Sequence, residues 1–162
     1  MKSWVWSLLL AMLAASPASA APPGSPLLGR WAVEVDRLPL PPAARPKSVT
    51  ISFAVPARGR LTSEVEIVAP DGSVRRMRST AALDGPAVSI AGDQTEADSA
   101  AVRMPVPGVV VLALGKARHP ASTRIYTLAR DAATMVETAV SWDDEGRPVV
   151  RTNYFRRLRD AR

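Results

Sequence analysis

The sequence predicts an all-β domain, most simply one antiparallel up-and-down β-barrel of about eight to ten strands, with a β-sandwich as the alternative. Three observations carry this. Runs of strand length alternate apolar and polar residues with a period of two. Turn signals separate them at short, regular intervals: Ala57-Arg58-Gly59, Asp71-Gly72, Asp84-Gly85-Pro86, Pro105 to Gly108, Arg130-Asp131 and Asp143 to Gly146. Finally, no stretch beyond the leader longer than about ten residues keeps a 3.6-residue apolar period without Gly or Pro, so any helix is short, one turn around Ser25 to Leu28 at most.

The chain opens with Lys2, an apolar run from Trp4 to Ala15, and the small residues Ala18-Ser19-Ala20. This is the layout of a secretory signal peptide cleaved after Ala20. The run is shorter than the 18 or so apolar residues a membrane span needs, and Pro17, Pro22 and Pro23 follow closely. The expected organisation is a leader at 1–20, a lead-in at 21–27 and one barrel domain at 28–160, working in the periplasm or outside the cell as a monomer. With no cysteine, neither a disulfide framework nor a thiol-based site is available.

Along the domain, Ser48 to Phe53 sets Val49, Ile51 and Phe53 on one face against hydroxyls on the other. Leu61, Ser63, Val65 and Ile67 oppose Thr62, Glu64 and Glu66, and Pro70-Asp71-Gly72-Ser73 joins this strand to the next as a hairpin. Thr134 to Trp142 and Val149 to Arg157 form a second hairpin across Asp143 to Gly146. Trp31 to Val35, Ala87 to Ile90, Ala100 to Met104, Val109 to Leu114 and Ser122 to Leu128 supply the remaining strands.

The formal charge is +6, one unit of which, Lys2, leaves with the leader. Arginine supplies most of it, crowding at Arg75, Arg76 and Arg78 and at Arg156, Arg157, Arg159 and Arg162. Nucleic-acid readers interleave such groups with exposed aromatic platforms. Here Trp31, Phe53, Tyr126, Trp142, Tyr154 and Phe155 fall within strands and read as core, so no nucleic-acid partner is expected. The arginines suit water or, peripherally, the anionic surface of an envelope membrane.

Leu27-Leu28-Gly29-Arg30-Trp31 resembles the Gly-x-Trp opening of lipocalin-type barrels. Arg45 to Thr50, Asp71-Gly72, Leu83-Asp84-Gly85 and Asp144 to Pro148 resemble the turn layout of small secreted bacterial lipocalin-like proteins. The resemblance implies that an arginine of the last strand, chosen from Arg151, Arg156 and Arg157, covers Trp31 and closes one end; Arg157 is the expected partner. The chain departs from the pattern in lacking a Thr-Asp-x-x-Tyr loop motif, a disulfide and a C-terminal helix.

Material for catalysis is sparse. His119, the only histidine, precedes Pro120 between strands and reads as a solvated loop residue without a second ligand or nucleophile to serve. Asp143, Asp144 and Glu145 read as a hydrophilic hairpin tip, while Asp93, Glu96 and Asp98 have the alternating spacing that admits a weak calcium site. No cofactor or metal is assigned. Glu64 and Glu66 belong to a polar face. Glu137 has two readings: the ordinary one faces it to solvent, the other sets it inside with Met135 and Ala139, where an inward arginine would have to pair it.

The resulting expectation is non-covalent binding of a small apolar, lipid-like ligand, with Phe53, Val65, Ile67, Ile125, Glu137, Val140 and Tyr154 as candidate lining residues. A filled barrel acting as an envelope accessory or interaction module is the alternative. A small hydrolase or isomerase using Glu137 is the third reading.

Overall fold

A computed structural model describes residues 24–159. The expected leader at 1–20 lies outside the described residues. Eleven strands form one antiparallel sheet: β1 (Gly29–Val33), β2 (Ser48–Ala54), β3 (Arg60–Val68), β4 (Val74–Ala82), β5 (Val88–Ser89), β6 (Ala91–Gly92), β7 (Ser99–Arg103), β8 (Val109–Lys116), β9 (His119–Leu128), β10 (Thr134–Trp142) and β11 (Pro148–Arg157). The residues before β1 make a single turn, closed by the Leu28 N–H on the Ser25 carbonyl at 3.0 Å. Two single 3-10 turns, Val35–Arg37 and Pro42–Ala44, fill the Pro-rich connection from β1 to β2.

The sheet runs β5-β7-β8-β9-β10-β11-β1-β2-β3-β4-β6, and it curls into a single nearly closed barrel. Strand β1 joins the halves by pairing with β11 on one side and β2 on the other. At the seam, 88–92 bonds β7 through β5 and β4 through β6. The expected single run at Ala87 to Ile90 is therefore two minimal strands either side of Ile90, because the chain crosses from one neighbour to the other there. Gly92 is required at this crossing: its φ is +90° and a Cβ would collide with the Arg76 carbonyl oxygen.

The two-residue turn of the β8–β9 hairpin, Ala117-Arg118, carries no Gly or Asn, and its strands reach Lys116 and His119, beyond the expected limits at Leu114 and Ser122. Ala117 and Arg118 both take positive φ, +49° and +67°, the geometry of a two-residue hairpin turn. A distant carboxylate holds it: Asp98 accepts the Ala117 N–H at 2.7 Å. His119, expected in a loop, consequently opens β9 and is exposed.

One end of the barrel is filled. Trp31, Phe53, Leu61, Val110, Met135 and Phe155 are buried there in one cluster, and the Tyr126 ring makes edge contacts with Phe53 at 5.2 Å and Phe155 at 6.0 Å. Trp31 faces Arg157 across the β1–β11 ladder, so both side chains point inward. The Arg157 guanidinium lies 4.1 Å over the indole and donates to the carbonyls of Leu28 at 2.8 Å, Ala132 at 3.0 Å and Pro26. The indole N–H donates to the Leu27 carbonyl at 3.0 Å. This is the plug that the resemblance implied.

The pleat splits the arginine runs. Arg76 is exposed and pairs with Glu66 at 2.6 Å, while Arg75 shares the face of Met77 and approaches Asp93 at 4.0 Å. Arg156 points outward to Glu34 at 2.6 Å, opposite in sense to Arg157. Trp142 and Tyr154, expected in the core, stand on the outer wall instead. Trp142 is 50 % exposed, and the Tyr154 ring is capped from outside by Arg37 at 3.3 Å. The outward rungs of β8 to β11 join Val111, Ile125, Thr138 and Thr152, and then Ala113, Thr123, Val140 and Val150. Neither rung carries a charge.

Candidate ligand site in the barrel lumen

The site grows from one rung of the sheet. Glu137 pairs with Tyr126 of β9 on one side and Asn153 of β11 on the other, so three polar side chains project inward side by side. The neighbouring inward position on β9 is Arg124, opposite Ala139. Glu137 is 2 % exposed, which overturns its solvent-facing reading and matches the inward one. Its Oε1 accepts the Tyr126 hydroxyl at 2.7 Å and Arg124 Nη1 at 3.3 Å; its Oε2 accepts Asn153 Nδ2 at 2.6 Å. A buried carboxylate needs donors and a counter-charge, and the rung supplies both.

Arg124 also reaches outward, giving Nη2 to Glu96 Oε2 at 2.8 Å in the loop before β7. Burial works against its charge, but Tyr126 and the Glu137 and Glu96 carboxylates outweigh burial and hold its pKa above the ordinary value. Among the described residues, Arg124 Nε is a buried donor without a partner.

Burial and, after it, the adjacent Glu137 carboxylate push the Tyr126 phenol well above its usual range. The folded protein therefore holds that proton where the unfolded chain, titrating near pH 10, releases it. The stability this contributes is complete below about pH 10 and is lost as pH rises toward the folded value. Urea midpoints measured from pH 8 to 12 should fall more steeply in the native protein than in Tyr126→Phe; parallel curves would refute the shift.

Two hollows flank this cluster inside the barrel. One of about 110 Å³ is lined by Met77, Ile90, Leu112 and Leu114 with the Ser63 and Ser79 hydroxyls, which bond each other at 2.9 Å. The other, of about 160 Å³, is lined by Val33, Leu38, Ile51 and Phe155 together with Glu137 and Asn153. Val49, Val65, Ile67, Arg124 and Tyr126 line both. A larger hollow of about 390 Å³ lies outside the wall beside Glu34, Arg37 and Arg156. Glu34 there meets Arg156 at 2.6 Å and Arg37 at 3.1 Å, and the Asp36 carboxylate in the same lining is turned to solvent.

Of the residues expected to line a site, Val65 and Ile67 line both lobes and Glu137 one. Phe53 also points inward but is packed deeper, on Tyr126. Ile125, Val140 and Tyr154 are corrections: all three face outward. Ile125 flanks the inward residues Arg124 and Tyr126, and Val140 lies an odd three residues from Glu137, so the pleat sends them to the other face. Tyr154 sits between inward Asn153 and Phe155 for the same reason. The residues missed were Arg124, Tyr126 and Asn153. Register would have found Tyr126 and Asn153, since an inward Glu137 brings its two cross-strand partners inward with it, and Arg124 lies two residues from Tyr126 on the same face of β9.

The weak calcium reading of Asp93, Glu96 and Asp98 does not hold, because each carboxylate is turned to a different partner: the Thr95 N–H at 2.9 Å, Arg124, and the Ala117 N–H. Among the described residues no three His, Asp or Glu groups gather around one point. Asp143 closes its own hairpin, accepting the Arg147 N–H and Nε each at 2.8 Å.

Fold and site together define an antiparallel barrel, filled at one end, with a polar charged rung set in a largely apolar lumen. Comparison with protein-family models, with curated proteins and with solved structures found no match for the chain.

Proposed function

We propose that the protein is an exported, lipocalin-like barrel that binds a small apolar ligand in its lumen and performs no chemistry on it. The observation that carries this reading is the pair of apolar hollows meeting at Arg124 and Tyr126, at the end of the barrel opposite the Trp31–Arg157 plug. Their size sets the scale of the occupant. An apolar cavity of about 150 Å³ holds a benzene molecule, whereas drug-sized ligands occupy about 300–1,000 Å³. A ring-sized or short-chain molecule fits; a long acyl chain does not without movement of the wall.

Binding is favoured over the Glu137 enzyme reading because Tyr126, Asn153 and Arg124 all donate to Glu137, so both of its oxygens are already engaged in holding the rung together. The interaction-module reading draws support from the uncharged outer rungs of β8 to β11 and from Trp142 and Val150, which are 50 % and 63 % exposed. Contact with an anionic envelope membrane is supported by the net charge alone.

The test is native mass spectrometry of the protein purified from its own host's envelope fraction. A reproducible small apolar mass that dissociates on denaturation is the expected result. A bare mass in every preparation, with a co-purifying protein, would replace this reading by the interaction module.

A further inference from the structure

We infer that two copies of this protein pair across the outer wall of β8 to β11, forming a weak two-fold dimer in place of the monomer expected from the sequence. The inference stands apart from the ligand-binding reading, because the residues it uses face away from the lumen.

Its starting point is where charge is absent. On the outer face of β3 and β4, Glu66 pairs with Arg76 at 2.6 Å, and Glu64 stands opposite Arg78 in register. Carboxylate against guanidinium is the composition of a wall that faces water. Across β8 to β11 the outward rungs from Val111 to Thr152 and from Ala113 to Val150 carry no charge, and neither does the next one, Val109, Thr127, Val136 and Tyr154. Charged residues make up 22 % of the chain. They resume only at the borders of this patch, with Arg103 opposite Val111 on one side and Arg37 over the Tyr154 ring on the other. An uncharged centre inside a polar rim is the layout of a protein–protein contact. Trp142 and Val150, 50 % and 63 % exposed, add large apolar side chains at the end of the wall remote from Arg157.

A second copy is the occupant that symmetry and charge select. Around a two-fold axis each group lies close to its own counterpart, so a charged residue there would face its like. The side chains of these rungs all tolerate their own copy. The valines, Ile125 and Ala113 are apolar, and the Thr and Tyr hydroxyls both donate and accept. The chain carries a formal charge of +6, so two copies repel each other through most of their surface. The uncharged wall is the face on which that repulsion is least.

Area sets the strength of the contact. Four strands spaced by about 4.8 Å, and a length of about 24 Å from Val136 to Trp142, give a patch of roughly 450 Å² on each copy. Two such patches fall just short of the ~1,000 Å² expected of a durable interface, which places the dimer in the weak, reversible class.

Sedimentation equilibrium of the purified protein at neutral pH tests this. Monomer at about 5 µM should give way to dimer near 1 mM, with a dissociation constant on the order of 100 µM. Val150→Arg, at an exposed position where the new side chain disturbs no packing, should raise that constant at least about tenfold, because the contact would then hold an unpaired charge. Thr138→Arg, nearer the middle of the wall, should leave only monomer. Ala54→Arg adds the same charge at the exposed end of β2 and should change the constant less than about twofold. Added salt should tighten the dimer, since screening relieves the repulsion between like-charged copies and no ion pair holds the contact. A monomer at every concentration, or a dimer indifferent to Val150→Arg, would overturn the inference and leave the lumen reading untouched. So would a monomer that sediments with phosphatidylcholine vesicles, which would assign the wall to lipid.

Discussion

Trp31→Ala lowers the stability of this barrel by about 3–5 kcal/mol, the range for removing a large buried aromatic. For a domain of this size that is a fall in Tm of roughly 10–20 °C. The magnitude follows from what the indole touches. Trp31 is wholly buried, and it joins β1 to the Leu27 turn through its N–H. It also forms the surface on which Arg157 lies. An arginine over a tryptophan contributes about 0.5–2 kcal/mol, more where water is excluded. Without the ring, Arg157 still binds the carbonyls of Leu28 and Ala132, but over a void. β1 is also the strand that joins the two halves of the sheet, so loosening it opens the barrel beside β11. Thermal and urea melts read the effect; a Tm within a few degrees of the native protein would show that the plug does not hold the closed end. Trp31 lines neither hollow, so a folded Trp31→Ala protein should keep the Glu137 rung and the two hollows beside it.

The second large effect lies at the opposite pole of the packing. Glu137→Ala should cost about 3 kcal/mol. Removing one member of a buried ion pair costs about 3–5 kcal/mol. Here the loss falls at the lower end, because Arg124 keeps Glu96 and its side chain is 28 % exposed. Tyr126 and Asn153 contribute to the loss, since each is left with a donor that has no acceptor. Glu137→Gln, which preserves shape and one acceptor oxygen, should cost about half as much. Replacing the pair together, as Glu137→Leu with Arg124→Met, should recover only the part of the loss that comes from the unpaired guanidinium, because the Tyr126 and Asn153 donors remain without an acceptor. Urea denaturation of the four proteins tests the ordering. Equal stability of Glu137→Ala and the native protein would show that the rung is not coupled.

The strands themselves were legible because their signals are local. In β2 and β3 every hydroxyl and carboxyl residue but Ser63 falls on one face, so Val49, Ile51, Phe53, Val65 and Ile67 could be assigned inward without knowledge of their neighbours. The turns at Asp71-Gly72 and Asp143 to Gly146 were legible for the same reason, since their residue types match the backbone conformations required. The β8–β9 hairpin was not. Its Ala117-Arg118 turn is held by Asp98, which comes from a loop distant in sequence.

The candidate site was legible only in part, and the cause can be traced to β9, β10 and β11. Their outward faces carry Ile125, Val136, Val140, Val150 and Tyr154, so both faces of these strands read as apolar and period-two patterning cannot say which is inside. Glu137 was recognised as a residue that would need an inward arginine. Arg124, Tyr126 and Asn153 were missed because they are identified only by standing opposite or beside it across the ladder.

The sequence by itself therefore determined the strand-and-turn grammar, the all-β class and the inward faces of β2 and β3, because these depend on contacts between residues close along the chain. Tertiary structure alone decided that the sheet closes through β1, that 88–92 bridges the seam, and that Glu137, Tyr126, Asn153 and Arg124 meet in the lumen. Those outcomes depend on register between strands far apart in sequence, and a one-residue slip would reverse every face.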